Sequence, residues 1–368
     1  MDNHRRRPPY FYPIFILLFF SLCACKQRQV EKAYYFWRSG DASAEERKFL
    51  KQQNIKKLYV RILDVDWNDV QGPIPVNSGS MEYIDHELKV YDSFPVQIVP
   101  VVFITNKTFE RIDTYNLALL AKRVVRRCLP SWDDVDARYE SNHYLPFLSG
   151  QVKPREIQID CDWTVKTAPA YFSFLKQLKQ LLPADSIKVS ATIRLHQYKY
   201  PEKTGVPPVD RGMLMVYNIS DPKQYTRNNS IFEESKAKPY FNHSKVYPLP
   251  LDIALPAWSW SIVYRNRQFY QIENGLSETD LKEQSFLQPA GDHFYRVTAD
   301  TVYHDLFLRP GDEIKAEGID EKTLQQAAAL AKKAVNTDHY TVTLFELSEK
   351  ELKQYKHETL IDIYTRFN

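Results

Sequence analysis

The chain has 368 residues, and its 49 Lys and Arg against 46 Asp and Glu give a formal net charge of +3. That small charge, without a basic stripe interleaved with aromatic residues, argues against a nucleic-acid-binding protein. Gly is scarce at 10, whereas Tyr (24) and Phe (20) are abundant. Aromatic residues usually form the core, and they also stack on sugar rings, so the composition is compatible with a carbohydrate ligand.

Residues 1–24 are predicted to be a secretory signal peptide. Arginines at positions 5–7 precede an apolar run, residues 10–22, that is too short to span a membrane comfortably. The Leu-Cys-Ala-Cys sequence that ends at Cys25 resembles the bacterial lipobox, which implies cleavage before Cys25 and a lipid anchor on it. The residue after Cys25 is Lys26, whereas an Asp at that position would indicate retention in the inner membrane of a Gram-negative cell. We therefore expect an envelope protein of the outer membrane. An ordinary cleaved signal is the alternative.

Strand and helix patterns alternate along the rest of the chain. A tether over residues 25–32 is followed by eight predicted strands, at residues 33–37, 58–65, 96–104, 156–164, 188–195, 213–219, 249–258 and 340–347. Helical patterns lie between many of them, at residues 115–128, 169–182 and 323–335, with a capping box at residues 43–46 and a closing helical region at residues 349–366.

This alternation predicts an α/β fold, a (β/α)8 TIM barrel over residues 33–368. An irregular stretch, about residues 262–320, predicts an insertion of short strands between the seventh and eighth strands. An open doubly wound sheet is the alternative, and it is disfavoured because no glycine-rich phosphate-binding turn follows the first strand.

The fourth predicted strand, residues 156–164, alternates polar and apolar residues. Alternate side chains of a strand share a face, so one face carries Asp160 and Asp162 and the other is apolar. We expect the polar face to line the barrel interior. Cys128 ends a helix before this strand and Cys161 lies near the strand's end, so we expect two buried free thiols.

Active sites of barrels lie at the carboxyl ends of the strands. By this rule the candidate catalytic residues are Asp160, Asp162, Tyr217, Asn218 and Glu346. The candidate substrate-binding residues are Trp37, Arg38, Asp64, Asp66, Trp163, Arg194, Trp258 and Trp260. Paired carboxylates among Tyr, Asn and Trp suit glycoside cleavage. The alternative is a buried polar network in which Arg61 or Arg194 neutralises the acids.

No cofactor and no metal is predicted. The nine His are scattered, and neither His-x-His nor Glu-x-x-His accompanies the acids. Phosphate-binding loops and the Gly-x-Ser-x-Gly elbow of serine hydrolases are likewise missing from the sequence.

Two of these segments carry a family resemblance. Residues 158–164, Gln-Ile-Asp-Cys-Asp-Trp-Thr, resemble the fourth-strand motif Asp-Gly-x-Asp-x-Asp-Trp-Glu of chitinase-like glycoside hydrolases of family eighteen. Residues 215–218, Met-Val-Tyr-Asn, resemble that family's sixth-strand Met-x-Tyr-Asp. The resemblance implies that Asp162 orients an acetamido group and that Tyr217 assists it. The overall pattern is also similar to bacterial barrel lipoproteins related to glycosidases.

The resemblance breaks where the family keeps its proton donor. Thr164 stands in place of that Glu, Ile157 in place of the motif's first Asp, and Asn218 in place of another Asp. A Thr hydroxyl is far too weak an acid for general acid catalysis near neutral pH. The family's floor Trp is usually on the eighth strand, whereas Trp258 and Trp260 belong to the seventh.

Three outcomes follow from the missing Glu. In the first, Asp162 serves as the acid. In the second, another strand supplies the acid through Glu346, Asp64 or Asp66. In the third, the protein binds glycans without cleaving them. The first hypothesis is therefore a lipid-anchored barrel that hydrolyses glycans, and the second is a non-catalytic glycan-binding lipoprotein. The expected partners are a glycan and, through Cys25, a membrane; the oligomeric state stays open.

Overall fold

The fold is described from a computed structural model of the chain, over residues 28–77, 93–129, 154–183, 186–243 and 245–368. The predicted signal peptide and Cys25 lie outside these residues. Within these residues no helix has the length and apolar character needed to cross a membrane.

Eight parallel strands close into a barrel, which confirms the predicted (β/α)8 TIM barrel. Strands are numbered in chain order, and the barrel strands are β1 (Gln29–Phe36), β2 (Lys57–Asn68), β4 (Gln97–Ile104), β5 (Glu156–Asp160), β6 (Lys188–Arg194), β7 (Arg211–Met215), β8 (Leu251–Pro256) and β16 (His339–Phe345). Strand β1 pairs in parallel with both β2 and β16, and these two pairings close the sheet. Strand β3 (Gly72–Asn77) lies outside the barrel and forms an antiparallel hairpin with the end of β2.

Helices cover the outside of the barrel. The described helices are α1 (Ala44–Gln52), α2 (Asn106–Arg111), α3 (Thr114–Cys128), α4 (Ala168–Leu181), α5 (Leu195–Lys199), α6 (Pro201–Thr204), α7 (Glu234–Phe241), α8 (Glu278–Lys282), α9 (Glu321–Ala331), α10 (Glu349–Leu352) and α11 (His357–Thr365). Of these, α8 lies in the predicted insertion and packs in that segment's own core. The predicted capping box is present at α1, where the Ser43 hydroxyl accepts from the Glu46 amide and the Glu46 carboxylate accepts from the Ser43 amide.

Several predicted strand boundaries were wrong; β7, for example, covers Arg211–Met215 and not residues 213–219. Strand β1 begins at Gln29 and not at residue 33, because its first residues pair with β16 from His339 onward. Strand β5 ends at Asp160 and not at residue 164. Beyond it the chain turns into α4, since the Thr164 amide donates to the Thr167 hydroxyl at 2.9 Å and the Thr164 carbonyl accepts from the Ala168 amide.

The predicted insertion is a small antiparallel sheet between β8 and α9. Its strands are β9 (Trp260–Arg265), β10 (Gln268–Asn274), β11 (Leu287–Gly291), β12 (Phe294–Val297) and β15 (Glu313–Glu317), with a separate hairpin β13 (Thr301–Tyr303) and β14 (Leu306–Leu308). Contacts to the loop after β7 hold this sheet at the carboxyl end of the barrel. Tyr264 donates to the Pro222 carbonyl at 2.7 Å, and Tyr225 donates to the Glu313 carboxylate at 2.7 Å.

The two cysteines of the described chain are free and fully buried, as expected. Burial raises the pKa of the Cys128 thiol to about 12 and that of Cys161 well above its usual value. A thiol that stays protonated in an apolar environment is unreactive, so both cysteines act as core residues.

Candidate functional site

An aromatic cluster fills the mouth of the barrel at the carboxyl ends of the strands. Phe345, the last residue of β16, lies at its centre, with ring centroids 5.6 Å from Trp37, 5.6 Å from Tyr217 and 4.9 Å from Trp258. Trp37 and Phe345 are half-buried, whereas Tyr217 and Trp258 are buried. Two aromatic faces therefore remain partly open to solvent over a packed aromatic base.

A second cluster, formed by Asp160, Asp162 and Arg194, lies at the end of β5 and β6. Arg194 forms a two-pronged ion pair with Asp162, in which Nε contacts Oδ1 and Nη2 lies 2.7 Å from Oδ2. Asp160 is 4% exposed and accepts a hydrogen bond of 2.6 Å from the Thr192 hydroxyl. Both oxygens of Asp162 are thus engaged by a cation, and Asp160 lies beneath the pair.

The pKa of Asp160 is raised to about 6. Burial is the largest cause, and the charges of Asp162 and Asp64 add to it, while Arg194 and the bond from Thr192 act in the opposite direction. Tyr217 faces the same cluster, and its buried hydroxyl has no hydrogen-bond partner among the described residues. The buried Nη1 atom of Arg194 likewise has no hydrogen-bond partner among the described residues.

The two acids at the end of β2, Asp64 and Asp66, have partners of their own. Asp64 is buried and forms an ion pair with Arg61, whose Nε lies 2.6 Å from Oδ1. The Arg61 guanidinium also lies over the Trp37 ring, 5.2 Å from its centroid. Asp66 accepts from the Thr105 hydroxyl at 2.6 Å, and this bond holds the pKa of Asp66 below its usual range. Asp66 therefore ties β2 to the end of β4.

Glu346 belongs to a third group, on the β1 side of the mouth. It directly follows Phe345 and is half-buried, and its pKa is raised to about 7, first by burial and then by the charge of Glu351. Arg38 acts in the opposite direction on that pKa. Arg38 itself forms an ion pair with the buried Glu46 of α1. The two candidate carboxyl groups at 162 and 346 thus have different surroundings.

Three further predicted site residues are not joined to these acids by hydrogen bonds in the described chain, although the ring of one of them, Trp260, lies 5.9 Å from that of Trp258 in the mouth. Trp163 is 1% exposed beyond the end of β5, where its ring stacks on Tyr171 at 5.3 Å and its Nε1 donates to the Thr204 carbonyl, so its ring presents no open face to a ligand. Trp260 donates to the Glu317 carboxylate of the inserted sheet at 2.8 Å. Asn218 is exposed with φ of 54°, a conformation that Asn tolerates, and no hydrogen bond joins it to the acids in the described chain.

Sequence reasoning missed Phe345 and Thr192. Phe345 is the last residue of the eighth strand. The chitinase-like family that the sequence resembles usually has its sugar-stacking Trp on that strand, so the position of Phe345 could have identified it as a site residue. Thr192 alternates with Arg194 on the inner face of β6, but only the register between β5 and β6 brings it to Asp160. Among the described residues no three potential metal ligands of the His, Cys, Asp or Glu type come together.

Comparison with solved structures gives the fold. A chitinase from Chromobacterium violaceum ATCC 12472 matches with a TM-score of 0.52 and 11% identity over 92% of this chain and 98% of its own. A chitinase from Bacteroides thetaiotaomicron matches with a TM-score of 0.50 and 12% identity over 93% of this chain and 96% of its own. The fold is that of the chitinases. No family model matches the sequence, and no curated protein matches it significantly.

Asp160 makes a testable contribution to the pH dependence of stability. Its folded pKa of about 6 lies above its usual 3.8, so the folded state prefers the protonated carboxyl. This stabilising preference is fully present below about pH 4 and is lost as the pH rises through 6. From about pH 4 to pH 7, wild type should lose about 2–3 kcal/mol of unfolding free energy relative to Asp160→Asn. Urea unfolding of both proteins at the two pH values measures this difference, and parallel pH profiles would contradict it.

Proposed function

We propose that this protein binds glycans at the mouth of its barrel and leaves their glycosidic bonds intact. The observation that carries the proposal is the ion pair in which Arg194 engages both carboxylate oxygens of Asp162. Of the two hypotheses that the sequence left open, the geometry supports the non-catalytic one better.

Glycoside cleavage needs a carboxylic acid that can reach the leaving oxygen and a second group that stabilises the positive charge at the anomeric carbon. On β5 and the loop after it, Asp162 is paired with Arg194, and Asp160 is buried beneath it. Thr164 stands where the proton donor is expected, and its hydroxyl contacts that of Thr167 at 3.3 Å at the start of α4. This segment therefore offers no free carboxyl group for proton donation.

The same mouth keeps the features that a sugar-binding site requires. Binding sites for small molecules are lined mostly by apolar and aromatic side chains with a few oriented polar groups. Here the partly open rings of Trp37 and Phe345 adjoin Tyr217 and Arg194, each with a buried polar atom that lacks a protein partner in the described chain. The resemblance to chitinases makes oligomers of N-acetylglucosamine the first ligands to test.

Glu346 supports a second candidate function, hydrolysis with an acid from the eighth strand. A carboxyl group with a pKa of about 7 is half protonated at neutral pH, which suits a general acid. If Glu346 has this role, the rate should fall as the pH rises through 7, because the protonated form is lost.

Titration of the purified protein with N-acetylglucosamine oligomers, a glycan array and a turnover assay on aryl glycosides tests both candidates. We expect saturable binding and no product. Turnover that disappears in Glu346→Gln would establish the second candidate, and turnover that disappears in Asp162→Asn would overturn the proposal. If neither binding nor turnover is found with any glycan, both candidates are wrong.

We propose further that Cys25 carries a lipid that anchors the barrel in the outer membrane of a bacterial envelope. The three-part signal at residues 1–25 supports this. We expect Cys25→Ser to abolish metabolic labelling with palmitate. When an ordinary cleaved signal peptide also replaces residues 1–24, we expect the protein to move from the membrane fraction to the soluble fraction. Labelling that survives the substitution would rule out this residue as the anchor.

A further inference from the structure

The end of the barrel opposite the aromatic mouth holds a polar recess. It lies at the amino ends of the strands and has a volume of about 650 Å³. Gln29 and Glu31 of β1, Lys57 of β2 and Glu156 of β5 are among its lining residues, with Arg155 and Lys188. The last two are exposed, whereas Lys57 and Glu156 are buried.

The charged groups inside the recess form ion pairs with one another. The Lys57 ammonium lies 3.1 Å from both Glu156 and Glu31, and Arg211 pairs with Asp252 at 2.7 Å. With two cations and three carboxylates, this floor has a slight excess of negative charge, so any attraction for an anion must come from the rim.

The rim carries an excess of positive charge. No ion pair joins Arg155 or Lys188 to a carboxylate in the part of the chain that the structure describes, and Lys56 is exposed directly before β2. Helices run antiparallel to the strands in this fold, so the last turns of the helices lie at this end too. The basic residues of these turns include Lys51 of α1 and the exposed Lys333 after α9, whereas Lys179 of α4 is paired with Asp210 at 2.6 Å.

The chain itself attaches at this end. Strand β1 starts at Gln29 on the rim, and Cys25 precedes it by only four residues. Four residues span at most about 14 Å when fully extended. An acyl chain on Cys25 would therefore bring the amino-end face to within that distance of the bilayer surface.

We propose that the amino-end face, with Lys56, Arg155 and Lys188 on its rim, rests on anionic phospholipid headgroups and directs the aromatic mouth away from the membrane. The inference rests on the proposed lipid anchor at Cys25. Lys and Arg near an anionic bilayer are attracted to it within roughly a Debye length, about 8–10 Å at moderate salt. Strands of 7–8 residues, tilted as in a TIM barrel, place the mouth about 20 Å farther from the membrane.

Vesicle binding without the anchor tests the charge of this face. Residues 25–368 with Cys25→Ser, produced without the signal peptide, should bind vesicles rich in phosphatidylglycerol and fail to bind pure phosphatidylcholine vesicles. Adding Lys56→Gln, Arg155→Gln and Lys188→Gln should weaken binding to the anionic vesicles at least about tenfold. The matched control replaces three exposed lysines from the opposite end: Lys166, Lys203 and Lys223. Equal losses in both triple variants, or no binding to anionic vesicles, would overturn the proposal.

Quenching in reconstituted vesicles tests the orientation. Both native cysteines of the barrel are buried, so a fluorophore can be attached at Gln52→Cys, the exposed last residue of α1 at the amino end of the barrel, or at Val70→Cys, which is 93% exposed in the hairpin beyond β2. With the acylated protein and a headgroup-bound quencher, the label at 52 should be quenched strongly and the label at 70 weakly. The reverse order or equal quenching contradicts the orientation. Palmitate labelling and glycan titration report separately on the proposed function.

Discussion

Replacing Asp252 by alanine is expected to destabilise the barrel by about 3–5 kcal/mol, because it leaves a largely buried guanidinium without its counter-ion. Asp252 is 1% exposed and accepts from Arg211 Nε at 2.8 Å and Nη2 at 2.7 Å. It also accepts from the Thr341 amide at 2.6 Å, so one carboxylate joins β7, β8 and β16. Urea unfolding at neutral pH measures the loss.

An exposed ion pair provides the control for this prediction. Asp362 and Arg366 on α11 form a pair at 2.6 Å with side chains 45% and 43% exposed. Because such pairs contribute about 0–1 kcal/mol, Asp362→Ala should leave stability nearly unchanged. A similar cost for both substitutions would mean that burial of the Asp252 pair is not the cause.

Trp37→Ala is expected to weaken glycan binding by about ten- to a hundredfold, the range found for aromatic anchors in binding sites. Its half-buried ring packs against Phe345 and carries the Arg61 guanidinium on one face. Removing the Trp37 ring opens the aromatic base. The substitution also removes the surface over which the Arg61 guanidinium lies while it pairs with Asp64. Calorimetric titration with the tightest ligand of the glycan array gives the change in affinity.

Phe307→Ala is the matched control for loss of an aromatic side chain. Phe307 is 48% exposed in the β13–β14 hairpin of the insertion. Affinity should be unchanged in this variant, and thermal unfolding of both variants checks that the barrel remains folded. If Trp37→Ala binds as tightly as wild type, the aromatic mouth is not the glycan site.

The order of strands, the barrel class and the place of the insertion could be predicted from the sequence. Hydrophobic alternation, helical periodicity and caps are local properties, and helices between many of the strands leave few ways to arrange a parallel sheet. The polar inner face of β5, with Glu156, Gln158 and Asp160, followed from the strand period alone. The resemblance of residues 158–164 and 215–218 also indicated the chitinase fold correctly.

The state of the candidate site was decided by tertiary structure. Asp162 and Arg194 are 32 residues apart, and only the pairing of β5 with β6 makes them partners. From the sequence, Arg194 was a candidate both for substrate binding and for neutralising the acids of the mouth. In the structure its guanidinium forms an ion pair with Asp162. Likewise, Trp163 follows an alternation that the sequence revealed, but packing of α4 fixes its ring against Tyr171.

The sequence by itself determined which chemical groups reach the barrel mouth, because strand period and strand ends are encoded locally. Only the tertiary structure decided which of those groups are paired, buried or open, because ion pairs and pKa values depend on distances across strands and on exclusion of water. Asp160 with a pKa of about 6, Glu346 with a pKa of about 7 and Asp162 held by Arg194 began as three equivalent acids at strand ends. Their different surroundings in the folded barrel are the basis on which we propose a binding site and not a catalytic one.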